Sequence, residues 1–93
     1  MKVLVINCGS SSLKYQLIDS DSEAVIAKGL CERIGIDGKL THQTIGKDKY
    51  EKVVAIPEHN TAVKYVLDAL LDKENGAIAS LSEIDAVGHR IVH

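Results

Sequence analysis

The sequence predicts an α/β domain: an antiparallel β-meander, then a helix leading into one more strand. Three observations carry that expectation. Val3-Leu4-Val5-Ile6 is an unbroken, mostly β-branched apolar run, the mark of a strand buried on both faces. Strand-like segments and turn clusters then follow one another as far as Ile56, after which Val63, Val66, Leu67, Leu70 and Leu71 recur on one helical face. A last apolar segment, Ala86–His93, comes after that helix and so is able to lie parallel to its neighbour.

Taken in order, the first strand gives way at Asn7 and Gly9, and Asn7 through Ser12 are expected to form a turn. Leu13, Tyr15 and Leu17 alternate with Lys14, Gln16 and Ile18, which reads as a second strand, closed by Asp19-Ser20-Asp21-Ser22. A third strand is expected over Ala24–Ile34, with Ile26, Leu30 and Ile34 on one face. Gly29 within it marks a bulge or a close neighbouring backbone. Lys39–Ile45 and Tyr50–Ile56, joined at Gly46-Lys47-Asp48-Lys49, make a further pair that is polar on both sides. That pair reads as a solvent-exposed excursion. Asn60 is the expected helix N-cap, Lys73 belongs to the last turn, and Gly76 after Asn75 is the expected terminator. The stripe on this helix is core packing, since nothing in it carries chemistry. Ala77–Leu81 suggests a short helical piece.

Ninety-three residues suit one small domain, which buries about 60–65% of the surface its unfolded chain exposes. A net charge of −2 with scattered basic residues argues against nucleic acid and acidic membranes, and the absence of Phe and Trp argues against a base-stacking platform. Cys8 and Cys31 lack Cys-x-x-Cys spacing, so reduced thiols in a cytoplasmic protein are expected. Lys2 precedes only four apolar residues before Asn7, too few for a signal peptide, and no apolar run approaches the ~20 residues of a membrane helix.

Chemistry concentrates in two places. A buried strand that ends in Gly9-Ser10-Ser11-Ser12 is suited to holding phosphate, because Gly admits close approach and the small residues offer donors. Lys14 adds a point charge, and the Asn7 amide oxygen suits a hydrated divalent cation. The same residues also describe an ordinary hairpin turn followed by a solvated lysine, with Asn7 bonding nearby backbone. Neither the Walker A order nor a Gly-x-Gly-x-x-Gly fingerprint is present. The second place is Arg90, one of two arginines, in an apolar strand. Its planar fork matches a carboxylate or phosphate, or else pairs with Asp85 or Glu32. His89 and His93 flank Arg90 at strand positions that face differently from it, and no third ligand is evident, which favours packing over metal binding. His42 and His59 read as surface residues, and Arg33 reads as half of a surface pair.

The string Asn7-x-Gly9-Ser10-Ser11-Ser12-x-Lys14 after an N-terminal apolar strand resembles the acetate kinase family signature. The resemblance continues through Gly29-Leu30-Cys31-Glu32-Arg33-Ile34-Gly35 and Ala86-Val87-Gly88-His89-Arg90-Ile91-Val92-His93, with Cys8 standing where many relatives carry Ala. It implies the actin-like, ribonuclease H-like fold of the sugar kinase–Hsp70–actin superfamily, with residues 1–93 as the N-terminal part of its first domain. It also implies reversible transfer of the ATP γ-phosphoryl group to acetate, giving acetyl phosphate and ADP. Under it, Arg90 binds the carboxylate substrate, Asn7 helps hold Mg2+, and Lys14, Ser10 and Ser12 contact ATP. A homodimer is implied for the full-length protein. The family continues far beyond His93, so a truncated chain without turnover is expected. A propionate or butyrate kinase, or an inactive nucleotide- or anion-binding fragment, is the alternative.

Overall fold

Strand alternation and sheet register decide where each side chain of this chain goes. In the computed structural model, residues 1–72 and 76–91 are described, with backbone alone at 89–91. Strands β1 (Lys2–Cys8), β2 (Leu13–Asp19), β3 (Ala24–Glu32), β4 (Lys39–Thr44) and β5 (Tyr50–Val53) form the meander. Helix α1 (His59–Leu71) and strand β6 (Ala86–Ile91) follow. One sheet results, in the order β5-β4-β3-β2-β1-β6. The first five strands pair antiparallel, and β6 lies parallel to β1, as a strand reached through a helix can.

Helix α1 covers one face. Leu4, Ile6, Leu13, Tyr15, Leu17, Ala27, Cys31 and Leu40 from the sheet form one core with Ala62, Val66, Ala69 and Leu70 from the helix. Burying each large aliphatic side chain here stabilises by roughly 1.5–3 kcal/mol. The buried stripe of the helix is turned slightly from the expected one: Ala62 and Ala69 are buried, whereas Val63, Leu67 and Leu71 are only half-buried. The two alanines let the helix backbone approach the sheet.

Several boundaries differ from the sequence expectation. The helix starts at His59, so Asn60 is inside it and is not the cap. Glu58, in extended backbone, holds the cap position without a side-chain bond. Its carbonyl accepts from the Ala62 N–H at 3.2 Å and opens the helical ladder. Lys73 and Asn75 lie outside the described residues, and the Gly76 N–H donates to the Asp72 carbonyl beyond the helix end. In place of a helical piece over residues 77–81, a short 3₁₀ turn spans Leu81–Glu83. Reciprocal Ser80 and Glu83 capping bonds fix it there. Strand β3 stops at Glu32 because Arg33 takes a left-handed φ of 56°, which turns Ile34 into the core.

The largest correction concerns β4. Leu40, His42 and Thr44 are buried, so this strand is sheet core, and only β5 carries the exposed residues Glu51, Lys52 and Val53. Strand β5 also ends at Val53, three residues short of the expected end, while Ile56 is buried beyond it. Buried polar groups are tolerated when they are hydrogen-bonded, and these are. His42 Nδ1 meets the Tyr15 hydroxyl at 2.5 Å and its Nε2 meets Thr44 Oγ1 at 3.1 Å. Burial pushes the Tyr15 phenol well above its ordinary range, so it stays an O–H able to donate. Gly29 marks a close approach and not a bulge: a Cβ there would collide with the Tyr15 ring and the Thr41 carbonyl. The register irregularity lies instead between Leu17 and Ile18. Cys8 and Cys31 are both free thiols. Among the described residues no helix is long and apolar enough to cross a membrane.

Candidate functional site

Asn7 and Cys8, expected in the turn, instead complete β1, and Gly9–Ser12 alone form the tip joining it to β2. The tip is pinned at three points. The Gly9 N–H donates to the Ser12 carbonyl at 2.9 Å, and the Ile34 N–H donates to the Ser11 carbonyl at 2.9 Å. His59 Nε2, at the start of α1, donates to the Gly9 carbonyl at 2.8 Å. Because a carbonyl only accepts, the imidazole carries its hydrogen on Nε2. His59 is therefore half-buried and engaged, not a surface residue.

Register gathers the candidates of the sequence around this tip. Asn7 pairs with Lys14 of β2 on one side and with Arg90 of β6 on the other. Arg90, Asn7 and Lys14 thus occupy one cross-strand row at the edge of the Ser turn. Neighbouring strands are about 4.8 Å apart, so the row spans roughly 10 Å of backbone. Asn7 is half-buried, while Lys14, Ser10 and Ser11 are exposed and Ser12 is half-buried. Lys14 lies on the sheet face opposite α1, since it alternates with the buried Leu13 and Tyr15.

The backbone also bears on the two structural pairings open to Arg90. Glu32 is on β3, three strands away, or about 14 Å. Asp85 lies five residues back along an extended strand, about 16 Å away, and its carboxylate accepts from the Lys2 N–H at 2.8 Å. Neither residue is a cross-strand neighbour of Arg90 in the sheet. The side chains of His89 and Arg90, and His93 altogether, lie outside the described residues. Arg33 pairs with Asp37 at 2.5 Å on the exposed surface, so its reading as half of a surface pair holds.

On the open face of the sheet a shallow groove of about 460 Å³ runs from Lys14 across β3 and β4 to β5. Lys28, Lys39 and Lys49 line it along with Glu32 and Glu51. Glu51 is shared between Lys39 at 3.7 Å and Lys49 at 3.5 Å, and such exposed pairs contribute little. Among the described residues no group of three or more His, Cys, Asp or Glu could cage a metal. A magnesium ion commonly keeps several waters and takes only one or two protein oxygens. Asn7 offers one such oxygen.

Compared with known proteins, residues 2–93 match the family model of the acetokinase family. The chain belongs to that family. It is 66% identical over 93 residues to the acetate kinase of Agathobacter rectalis and 61% identical over 93 residues to that of Lachnoclostridium phytofermentans. All of this chain is covered in both matches, and it spans 23% and 24% of those relatives. Among solved structures, Porphyromonas gingivalis acetate kinase superposes with a TM-score of 0.92 at 44% identity, over 99% of this chain and 23% of that one. A propionate kinase from Francisella tularensis superposes at 0.81 and 30% identity, over 99% and 22%. The fold is accordingly the actin-like α/β architecture of these kinases, seen in its N-terminal part.

Sequence reasoning missed His59. Its only signal was position, directly after the Pro57-Glu58 break and at the start of the apolar helical spacing, and that does not reveal a contact fifty residues back along the chain.

Proposed function

We propose that the full-length protein carrying this segment is an acetate kinase, transferring the ATP γ-phosphoryl group reversibly to acetate with Mg2+. In this reading residues 1–93 are the opening part of its first actin-like domain. The observation that carries it is the single row of Arg90, Asn7 and Lys14 beside the Ser turn, in a chain of the acetokinase family. Arg90 binds the substrate carboxylate, and Lys14 with Ser10 and Ser12 faces the nucleotide phosphates. Asn7 contributes an oxygen to the hydrated magnesium ion, which neutralises charge on those phosphates when bound. Phosphoryl transfer depends chiefly on positioning and charge neutralisation, and this row supplies part of both. Among the solved structures the identity is higher to the acetate kinase, 44%, than to the propionate kinase, 30%, which favours acetate over longer acids.

The test is acetyl phosphate formation by the full-length protein from Mg2+, ATP and acetate, trapped as the hydroxamate. Propionate and butyrate run in parallel, and the 93-residue chain alone should give no product above a blank. Arg90→Ala should lower kcat/KM for acetate roughly ten- to a hundredfold, the loss of a charge-assisted bidentate contact, with the KM for ATP nearly unchanged. Arg90→Lys should recover only part, because an ammonium lacks the fork. An unchanged acetate KM in Arg90→Ala would remove Arg90 from the substrate site.

A further inference from the structure

We propose that His59 is a positioning residue that holds the Gly9–Ser12 turn open for phosphate, an inference that rests on reading that turn as the nucleotide phosphate site. The geometry begins with the peptide plane. In a trans peptide the C=O of one residue and the N–H of the next point in opposite directions, and among the described residues no peptide bond is cis. His59 Nε2 draws the Gly9 carbonyl toward α1 at 2.8 Å, so the Ser10 N–H points the other way. The Ile34 N–H draws the Ser11 carbonyl inward at 2.9 Å, so the Ser12 N–H also points away from the core. Two anchors beneath the turn thus aim two amides outward together. They belong to Ser10 and Ser12, whose hydroxyls add donors on the same short tip.

His59 also suppresses the competing conformation. A four-residue tip of this length ordinarily closes with the last N–H bonded to the first carbonyl, here Ser12 to Gly9. Among the described residues that bond is absent, and the only backbone bond across the tip runs from the Gly9 N–H to the Ser12 carbonyl. With its carbonyl held by His59, Gly9 leaves the Ser12 amide to a ligand. Without the imidazole the tip can close on itself and withdraw that donor.

The experiment compares His59→Leu, which keeps bulk without a donor, and His59→Gln, which keeps an N–H at similar reach, with wild type in the full-length protein. His59→Leu should raise the KM for Mg-ATP about three- to tenfold, the loss of one neutral hydrogen bond, with the acetate KM within about twofold. His59→Gln should recover most of that loss. A His59→Leu protein with wild-type KM for Mg-ATP overturns the inference, as does a His59→Gln protein no better than the leucine variant. If His59→Leu does not fold, hydrogen exchange of the wild type decides: Mg-ATP should slow exchange of the Ser10–Ser12 amides, and no slowing overturns the proposal. Wild type that fails to bind Mg-ATP at all defeats the underlying reading. Binding with protected turn amides and an indifferent His59→Leu defeats only the role of His59.

Discussion

Replacing Gly29 with Ala should destabilise the sheet far more than one methyl group suggests. Tyr15, Gly29 and His42 stand in one cross-strand row on the buried face. The Tyr15 ring lies over the bare glycine and stacks on His42, with ring centroids 5.8 Å apart and planes 15° from parallel. A Cβ on Gly29 would collide with the Tyr15 hydroxyl and ring edge and sit 2.5 Å from the Thr41 carbonyl oxygen. Tyr15 has no exposed surface, so its ring has no empty space to move into. Overpacking of this kind costs about 1–3 kcal/mol, and pulling the hydroxyl from buried His42 costs about 1–2 kcal/mol more. Reduced freedom of the unfolded chain returns at most about 1 kcal/mol. The net loss of about 1–4 kcal/mol lowers Tm by roughly 5–30 °C in a domain of this size. Circular dichroism of the 93-residue chain measures it, with Gly88→Ala as control, because a Cβ there meets nothing within 4 Å. Tyr15→Phe should cost less in the Gly29→Ala background than in wild type, since it removes the nearest clashing atom. A Gly29→Ala chain melting within 3 °C of wild type, or strict additivity with Tyr15→Phe, would refute the steric account.

Two further outcomes follow from burial and charge. Burial pushes the Cys31 thiol up to about 11, so at pH 8 iodoacetamide should alkylate half-buried Cys8 in the folded chain and spare Cys31. Both should react after unfolding, as read by mass spectrometry of the peptides. Glu83 receives hydrogen bonds from Lys2 and the Ala79 and Ser80 amides, which hold its carboxyl below the ordinary 4.5. Its contribution is complete above the ordinary value and is lost as pH falls through the lower folded value. Glu83→Gln should therefore be less stable than wild type at pH 7, with the two unfolding curves converging as the pH falls below 4.5.

The element order and the Ser turn were legible because they rest on local signals. Period-two alternation, turn residues and the switch to helical spacing need no knowledge of distant contacts. Strand β4 was expected but its burial was not, because Lys39–Thr44 is polar at every position but Leu40 and gives no sign that His42 and Thr44 satisfy one another and Tyr15 indoors. His59 failed for the same reason: its partner is a carbonyl fifty residues earlier. The stripe on α1 was found but placed one position off, since alanines such as Ala62 and Ala69 carry little apolar weight in a periodicity yet win where a helix must approach a sheet closely.

What no local signal supplies is the register that sets Arg90 beside Asn7. Side chains alternate along a strand, so slipping β6 by one residue against β1 would turn the side chain at every position of β6 toward the other face. Asn7 stands opposite Arg90 because Val3 pairs with Ala86 at the start of the ladder, where the Lys2 N–H reaches the Asp85 carboxylate and the Asp85 N–H reaches the Lys2 carbonyl. The same lysine bonds Glu83 at 2.9 Å through its ammonium, tying the 3₁₀ turn to the first residue of β1. Those contacts lie at the far end of both strands from the Ser turn. The alignment of the candidate site is therefore set about five residues away from it, by a polar clasp with no chemical role of its own.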